Sequence, residues 1–265
     1  QYLLRNKMDI IEHLATFGYA IEKNVISSEE CMKMAEVLDS LKSKQEKKGA
    51  SYDSESQSVI FNIHLQEPDI FLDKISIPKV MGTLSKIFND QFILSNFNGS
   101  LAGKKGGNRV HIDSRIPIAN FKNTFQVAVL FCIDDFTPQN GSTIVWPFSH
   151  KSDQDPRNLR DNTAFPGSII ASAPKGSVIY TLGQTWHDIG ANLDDSRRWG
   201  IIAYYTRWWI KPTFDFTKCG NVIYERLSSQ QKSLMGFTSR PPTPKDNRHH
   251  TVIPVEDLPD NYEDL

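Results

Sequence analysis

Residues 91–209 break into short β-prone runs separated by turn signals, at a spacing of about ten residues. The runs fall at 91–98, 125–133, 143–146, 178–181 and 199–209. Between them stand Gly103 to Gly107, the tight-turn sequence Gln139-Asn140-Gly141-Ser142, and Pro174-Lys175-Gly176-Ser177. Helical spacing comes earlier in the chain. Ile10, Ile11, Leu14 and Phe17 precede a stop at Gly18, and Val80, Leu84 and Ile87 mark a helix over 77–89. Helices first and many short strands afterwards predict a mainly β fold with flanking α-helices. The expected architecture is a double-stranded β-helix, the jelly-roll or cupin-like barrel.

Finer expectations follow from the same patterns. Tyr19 to Glu22 reads as a short strand. Ser27 and Glu30 have capping-box spacing, which starts a helix from 28 to about 45 with Met32, Ala35, Leu38 and Leu41 inward and Met34 as core filler. The polar stretch 42–58 reads as a solvated loop, 59–65 as a strand with His64 packed on it, and 228–235 as a helix. His187 is expected at the end of a hairpin that begins with the 178–181 strand. No composition shift marks a boundary between two cores. One domain over 1–265 is expected, with N-terminal helices over about 7–90, the barrel over about 91–212 and an extension over about 213–265.

Charge and composition exclude some functions. A formal net charge of −1 gives no electrostatic footprint for nucleic acid or an anionic membrane. No apolar run approaches the roughly 18 residues of a membrane span. The three cysteines, Cys31, Cys132 and Cys219, are far apart and odd in number, which suits a reducing compartment. The first residues lack a signal-peptide profile, so a cytoplasmic location is expected.

The chemistry concentrates at Val110-His111-Ile112-Asp113. In an extended segment side chains i and i+2 share a face, so one imidazole and one carboxylate project together. A second histidine, His187, stands far along the chain in Trp186-His187-Asp188-Ile189-Gly190, and Arg197-Arg198 follow it. Two histidines and one carboxylate are the ligand set of non-haem Fe(II) oxygenases, which leave positions open for a co-substrate and O₂. An arginine nearby is suited to gripping a dicarboxylate through its planar fork.

With these residues in view, the chain resembles the phytanoyl-CoA dioxygenase superfamily of Fe(II)/2-oxoglutarate oxygenases, over about residues 8–240. Five segments carry the resemblance in order: Gly18-Tyr19 with Ser27-Ser28-Glu29-Glu30-Cys31; His111-Ile112-Asp113; Asn140-Gly141-Ser142-Thr143 with Pro147-Phe148-Ser149-His150, where Phe148 replaces the usual glycine; Pro174-Lys175-Gly176-Ser177; and Trp186-His187 through Gly190, Asn192 and Arg198. The resemblance implies His111, Asp113 and His187 as iron ligands. It also implies Arg198 rather than Arg197 as the grip on 2-oxoglutarate, by its spacing of 11 from the second histidine. Only one of two adjacent strand residues can face a barrel interior. Halogenases resembling this family carry a small residue in place of the carboxylate, so Asp113 favours hydroxylation or a related oxidation. The implied cofactors are Fe(II), 2-oxoglutarate as co-substrate and O₂, with succinate and CO₂ as products.

Asn98, Gln126 and Thr143 are further candidates for hydrogen bonds to 2-oxoglutarate. Arg115, Trp146 and Arg207 are candidates for the substrate side, whereas His150 reads as structural and His249-His250 as solvated. The expected partner is a small-molecule substrate, with no nucleic acid and no membrane; oligomeric state is left open. The competing readings are an oxygenase of a protein residue or lipid thioester, and a non-catalytic binding protein on the same barrel.

Overall fold

The computed structural model describes residues 8–48, 52–107, 109–114, 124–159, 165–194, 196–246 and 248–265. Asp9 opens the first helix, α1 (Ile10–Phe17), with a capping box: its carboxylate accepts the Glu12 N–H, and Glu12 accepts the Asp9 N–H. Gly18, at φ 84°, ends it in the left-handed conformation and delivers the chain to β1 (Tyr19–Glu22). Ser27 and Glu30 form the second box as the spacing predicts. The helix behind it, α2 (Ser28–Lys48), buries Cys31, Met34, Ala35, Leu38 and Leu41.

Two expectations for this region fail. Met32 is not on the buried stripe; it is 51% exposed, because a step of about 100° per residue carries it away from the Cys31–Ala35 face. The stretch from residue 42 is not a loop throughout. The helix continues to Lys48, since its Lys, Gln and Glu residues are good helix formers whatever their polarity. Two strands follow, β2 (Tyr52–Asp53) and β3 (Gln57–Ile60). The strand expected over 59–65 stops at Ile60. Asn62 adopts φ 51° and turns the chain into α3 (Ile63–Gln66), followed by α4 (Pro68–Phe71) and α5 (Pro78–Phe88).

Seven more strands build the jelly roll: β4 (Phe92–Ala102), β5 (Gln126–Cys132), β6 (Thr143–Val145), β7 (Ile169–Ile170), β8 (Val178–Leu182), β9 (His187–Ile189) and β10 (Trp199–Arg207). The larger sheet has the order β1-β8-β5-β10-β4-β3-β2 and the smaller β7-β6-β9. β8 and β9 therefore do not form the expected hairpin. Residues 183–186 carry the chain from one sheet to the other, so His187 enters the site from the opposite wall. The short helices α6 (Asn221–Tyr224) and α7 (Ser229–Leu234) lie in the C-terminal extension.

Strand alternation divides the large sheet between two tasks. Phe97, Val127, Val129, Phe131, Val178, Tyr180, Leu182, Ile201, Ala203 and Tyr205 share one apolar core with α1, α2 and α5. The intervening residues, among them Ser100, Ala128, Leu130, Thr181, Ile202 and Tyr204, face the space between the sheets. Among the described residues no helix is long and apolar enough to cross a membrane.

His64 lies in this core as expected, but on α3 rather than a strand. It is fully buried between Phe97 and Phe216, and neither ring nitrogen has a hydrogen-bond partner among the described residues. Burial pulls its pKa down to about 3. Below its ordinary value the unfolded chain protonates His64 while the folded chain does not, so stability falls as pH falls through that window. One such proton corresponds to ~1.4 kcal/mol per pH unit. His64→Leu should therefore reduce the stability lost between pH 7 and pH 5 by about 2 kcal/mol in urea unfolding. Equal losses in the two proteins would show that this group does not set the acid response.

Candidate active site

Val110 and Ile112 are buried, and the alternation turns His111 and Asp113 the other way. The segment is extended but is not a full strand. His111 alone bridges to His187, each donating its N–H to the other's carbonyl at 3.1 and 3.0 Å. This bridge brings together histidines that are distant in sequence, with ring centroids 4.3 Å apart. Asp113 completes the cluster. Its Oδ1 lies 3.6 Å from His187 Nε2 and 3.9 Å from His111 Nε2. One ligand atom from each residue lies within 4.8 Å of the others.

The outer hydrogen bonds decide which ring nitrogens face the cluster. His111 Nδ1 lies 2.9 Å from the Arg109 carbonyl and His187 Nδ1 lies 2.9 Å from the Thr185 carbonyl. A carbonyl can only accept, so both Nδ1 atoms carry the proton, and in the neutral rings both Nε2 lone pairs face Asp113. Burial, and then the neighbouring His187, hold His111 below the usual histidine range. Burial also opposes charge on His187, but the Asp113 carboxylate beside it and the Thr185 carbonyl together push it up to about 8. Burial would raise Asp113; the two histidines and Tyr204 outweigh it and hold the carboxyl below its ordinary value. Asp113 Oδ2 is buried with no partner among the described residues.

This set fits a divalent ion. With both rings neutral, it offers two imidazole lone pairs and one carboxylate from one side. At metal–ligand distances of ~2.1 Å, two ligand atoms stand at most about 4.2 Å apart, and both measured pairs already meet that limit.

The triad opens onto a cavity of about 120 Å³ between the sheets, whose lining includes Arg198 and Thr143. Arg198 is 1% exposed, lies over the Phe136 ring at 4.5 Å, and donates from Nη2 to the Gly141 carbonyl at 2.7 Å. The Asn140-Gly141 turn serves this contact. Gly141 takes φ 88°, and a Cβ there would come within 2.7 Å of Ala102 Cβ. Arg198 Nε has no partner, and no carboxylate pairs with the guanidinium among the described residues. Burial lowers its pKa to about 10. Arg197 points the other way, half-exposed, and bridges Asp39 and Asp134.

The remaining candidates are spread more widely. Asn98 and Gln126 do not line the cavity; the Asn98 side chain accepts the Asn62 N–H. Trp146 donates to the Phe165 carbonyl, and Phe165 packs against Trp186. Arg207 donates to the Thr124 carbonyl and lies near the Phe88 ring, away from the triad cavity. His150 is buried under Gly18, with Nε2 on the Ala15 carbonyl. Arg115 lies outside the described residues.

One residue was missed. Tyr204 lines the cavity and donates its phenol to Asp113 Oδ1 at 2.8 Å. Burial and then the Asp113 charge raise its pKa well above the usual tyrosine value, so the phenol stays protonated. Strand parity signalled it, because 200, 202 and 204 alternate along one face of β10, in step with Arg198 just before it.

The chain is similar to known proteins in sequence and in fold. At 27% identity the chain resembles a dioxygenase of Aspergillus fumigatus, af480, over 66% of this chain and 58% of that protein. It spans 58–64% of the length of the curated relatives it matches. Among solved structures its fold is similar to that of HygX from Streptomyces hygroscopicus, solved with nickel, 2-oxoglutarate and hygromycin B bound (TM-score 0.63, 15% identity, 79% of this chain and 90% of that one). It is also similar to the fold of the epimerase SnoN, solved with Fe³⁺, α-ketoglutarate and nogalamycin RO (TM-score 0.60, 17% identity, 77% and 85%). The family model for phytanoyl-CoA dioxygenase (PhyH) matches residues 14–200, a span that contains the triad and Arg198, and the chain belongs to this family.

Proposed function

We propose that the chain is an Fe(II)- and 2-oxoglutarate-dependent dioxygenase that hydroxylates a small organic molecule. His111, Asp113 and His187 hold the metal and Arg198 grips the distal carboxylate of 2-oxoglutarate. The observation that carries this reading is Arg198 itself. A buried guanidinium without a carboxylate partner is costly, and it lines the same cavity as the triad, where an anion can reach it. HygX and SnoN were each solved with a small organic molecule beside the metal and 2-oxoglutarate, which supports a substrate of that class.

When bound, iron supplies the redox chemistry that divides O₂ between 2-oxoglutarate, which becomes succinate and CO₂, and a substrate C–H bond, which becomes C–OH. The chain's own part is positional. The Arg109 and Thr185 carbonyls fix both imidazoles with Nε2 inward. Gly141 and Phe136 hold the Arg198 fork in one orientation, so a carboxylate meets a preformed donor pair. Thr143, on β6 beside the cavity, is placed to add a hydroxyl. Apolar Ala128, Leu130, Ile179 and Ile202 keep water scarce.

Adding Fe(II) and 2-oxoglutarate without oxygen should produce the visible absorption band of the chelate, and Asp113→Ala should lose it. Small molecules can then be screened for stimulated succinate release. A native protein that binds Fe(II) but shows no band with 2-oxoglutarate would overturn the co-substrate assignment.

A further inference from the structure

Asp113 carries the negative charge of the triad, yet its conformation is not set by its own neighbours in sequence. Of its two oxygens, Oδ1 faces both histidines and also accepts the Tyr204 phenol at 2.8 Å, while Oδ2 has no partner among the described residues. The contact joins residues 91 positions apart. A carboxylate has no proton to give, so the phenol is the donor.

The local backbone supports this aim. The pairing of β10 with β4 slips at this point: Tyr204 lies opposite Asn96, and Tyr205 lies opposite Leu94, so Ser95 is an extra residue on β4. Such bulges sharpen local twist and re-aim the side chains beside them. The irregularity is fully hydrogen-bonded. Asn96 accepts the Tyr204 N–H through its side chain at 3.1 Å, and Ser95 accepts the Phe214 N–H on its carbonyl and the Thr213 N–H on its hydroxyl. The next residue, Tyr205, points into the core and donates to the Ile75 carbonyl. Two adjacent tyrosines thus serve opposite faces of one strand.

We propose that Tyr204 is a positioning residue of the metal site: its phenol locks the Asp113 carboxylate in the orientation that faces His111 and His187, and the β4 bulge exists in part to aim it. The proposal rests on the metal-site reading above.

Metal binding tests this without turnover. Co(II) is titrated into metal-free native protein and into Tyr204→Phe, Tyr205→Phe and Asp113→Ala, followed by the visible absorption of the bound ion. Tyr204→Phe should weaken Co(II) at least about tenfold, the range of losses when an outer partner of a metal ligand is removed. Tyr205→Phe, which also loses a tyrosine hydrogen bond, should stay within about twofold. Asp113→Ala separates the two layers. If it binds Co(II) as the native chain does, the metal-site reading fails. If it loses binding while Tyr204→Phe matches the native chain, the Tyr204 proposal alone falls. Should Tyr204→Phe fail to fold, Asn96→Ala keeps the phenol and removes the side-chain acceptor of the Tyr204 backbone N–H at the bulge; it should weaken Co(II) about threefold, and unchanged binding overturns the proposal.

Discussion

His187→Ala should lower succinate release by at least about 10³-fold and leave purified protein without stoichiometric iron, because it removes one of the three proposed ligands and the partner that holds Asp113 ionised. The fold should survive. His187 contributes to the sheet through its backbone, pairing with Val145 on β6 and exchanging two backbone hydrogen bonds with His111. Alanine keeps all of these. Metal content, succinate release and a melting curve of metal-free protein together decide the matter. A variant that retains iron and turnover would place the metal elsewhere. Loss of both with an unchanged metal-free melt is the expected pattern.

Arg198→Ala should raise the apparent 2-oxoglutarate KM at least about tenfold, equivalent to ~1.4 kcal/mol of lost charge-assisted binding. Arg198→Lys should also weaken binding. It keeps the charge but loses the planar fork that reaches Gly141 and stacks on Phe136. Arg197→Ala should change KM little. Its bridges to Asp39 and Asp134 are partly exposed and on the outer side, so its removal should lower stability by roughly 0.2–1 kcal/mol. The comparison is internally controlled, since both variants delete a guanidinium from adjacent positions. An effect confined to Arg197→Ala would reverse the assigned facing of β10. No effect in either would remove 2-oxoglutarate from the account of this cavity.

The arginine pair shows how far strand alternation reaches. Residues 197 and 198 lead into β10 and continue its alternation, so they face opposite sides, and Arg198 takes the interior one with Ile202 and Tyr204. The same logic pairs His111 with Asp113 and reaches Tyr204, six residues beyond Arg198, which the motifs did not mention. What alternation cannot supply is the contact partner. Tyr204 meets Asp113 because β10 lies between β5 and β4, with the bulge opposite Tyr204.

Composition misled where polarity and secondary structure part company. The Lys- and Glu-rich end of α2 reads as loop by polarity but is helix by propensity, and Met32 reads as core by type but lies outside the stripe by angle. At Asn62 a single left-handed residue turned an expected strand into α3 and set His64 between two phenylalanines.

The sequence by itself determined what depends on near neighbours. The Ser27–Glu30 box placed the start of α2, the Gly18 stop ended α1, and periodicity placed the buried faces of α5 and the core strands. The His-x-Asp spacing put two donors on one side of an extended segment. These are interactions within a few residues, which the local chain decides alone. The tertiary structure decided the rest. It routed residues 183–186 between the sheets so that His187 meets His111, buried Arg198 without a carboxylate partner beside the same cavity, and brought Tyr204 onto Asp113. Those contacts join segments tens of residues apart, and the pairing of whole strands and the packing of two sheets select them, so no local pattern contains them.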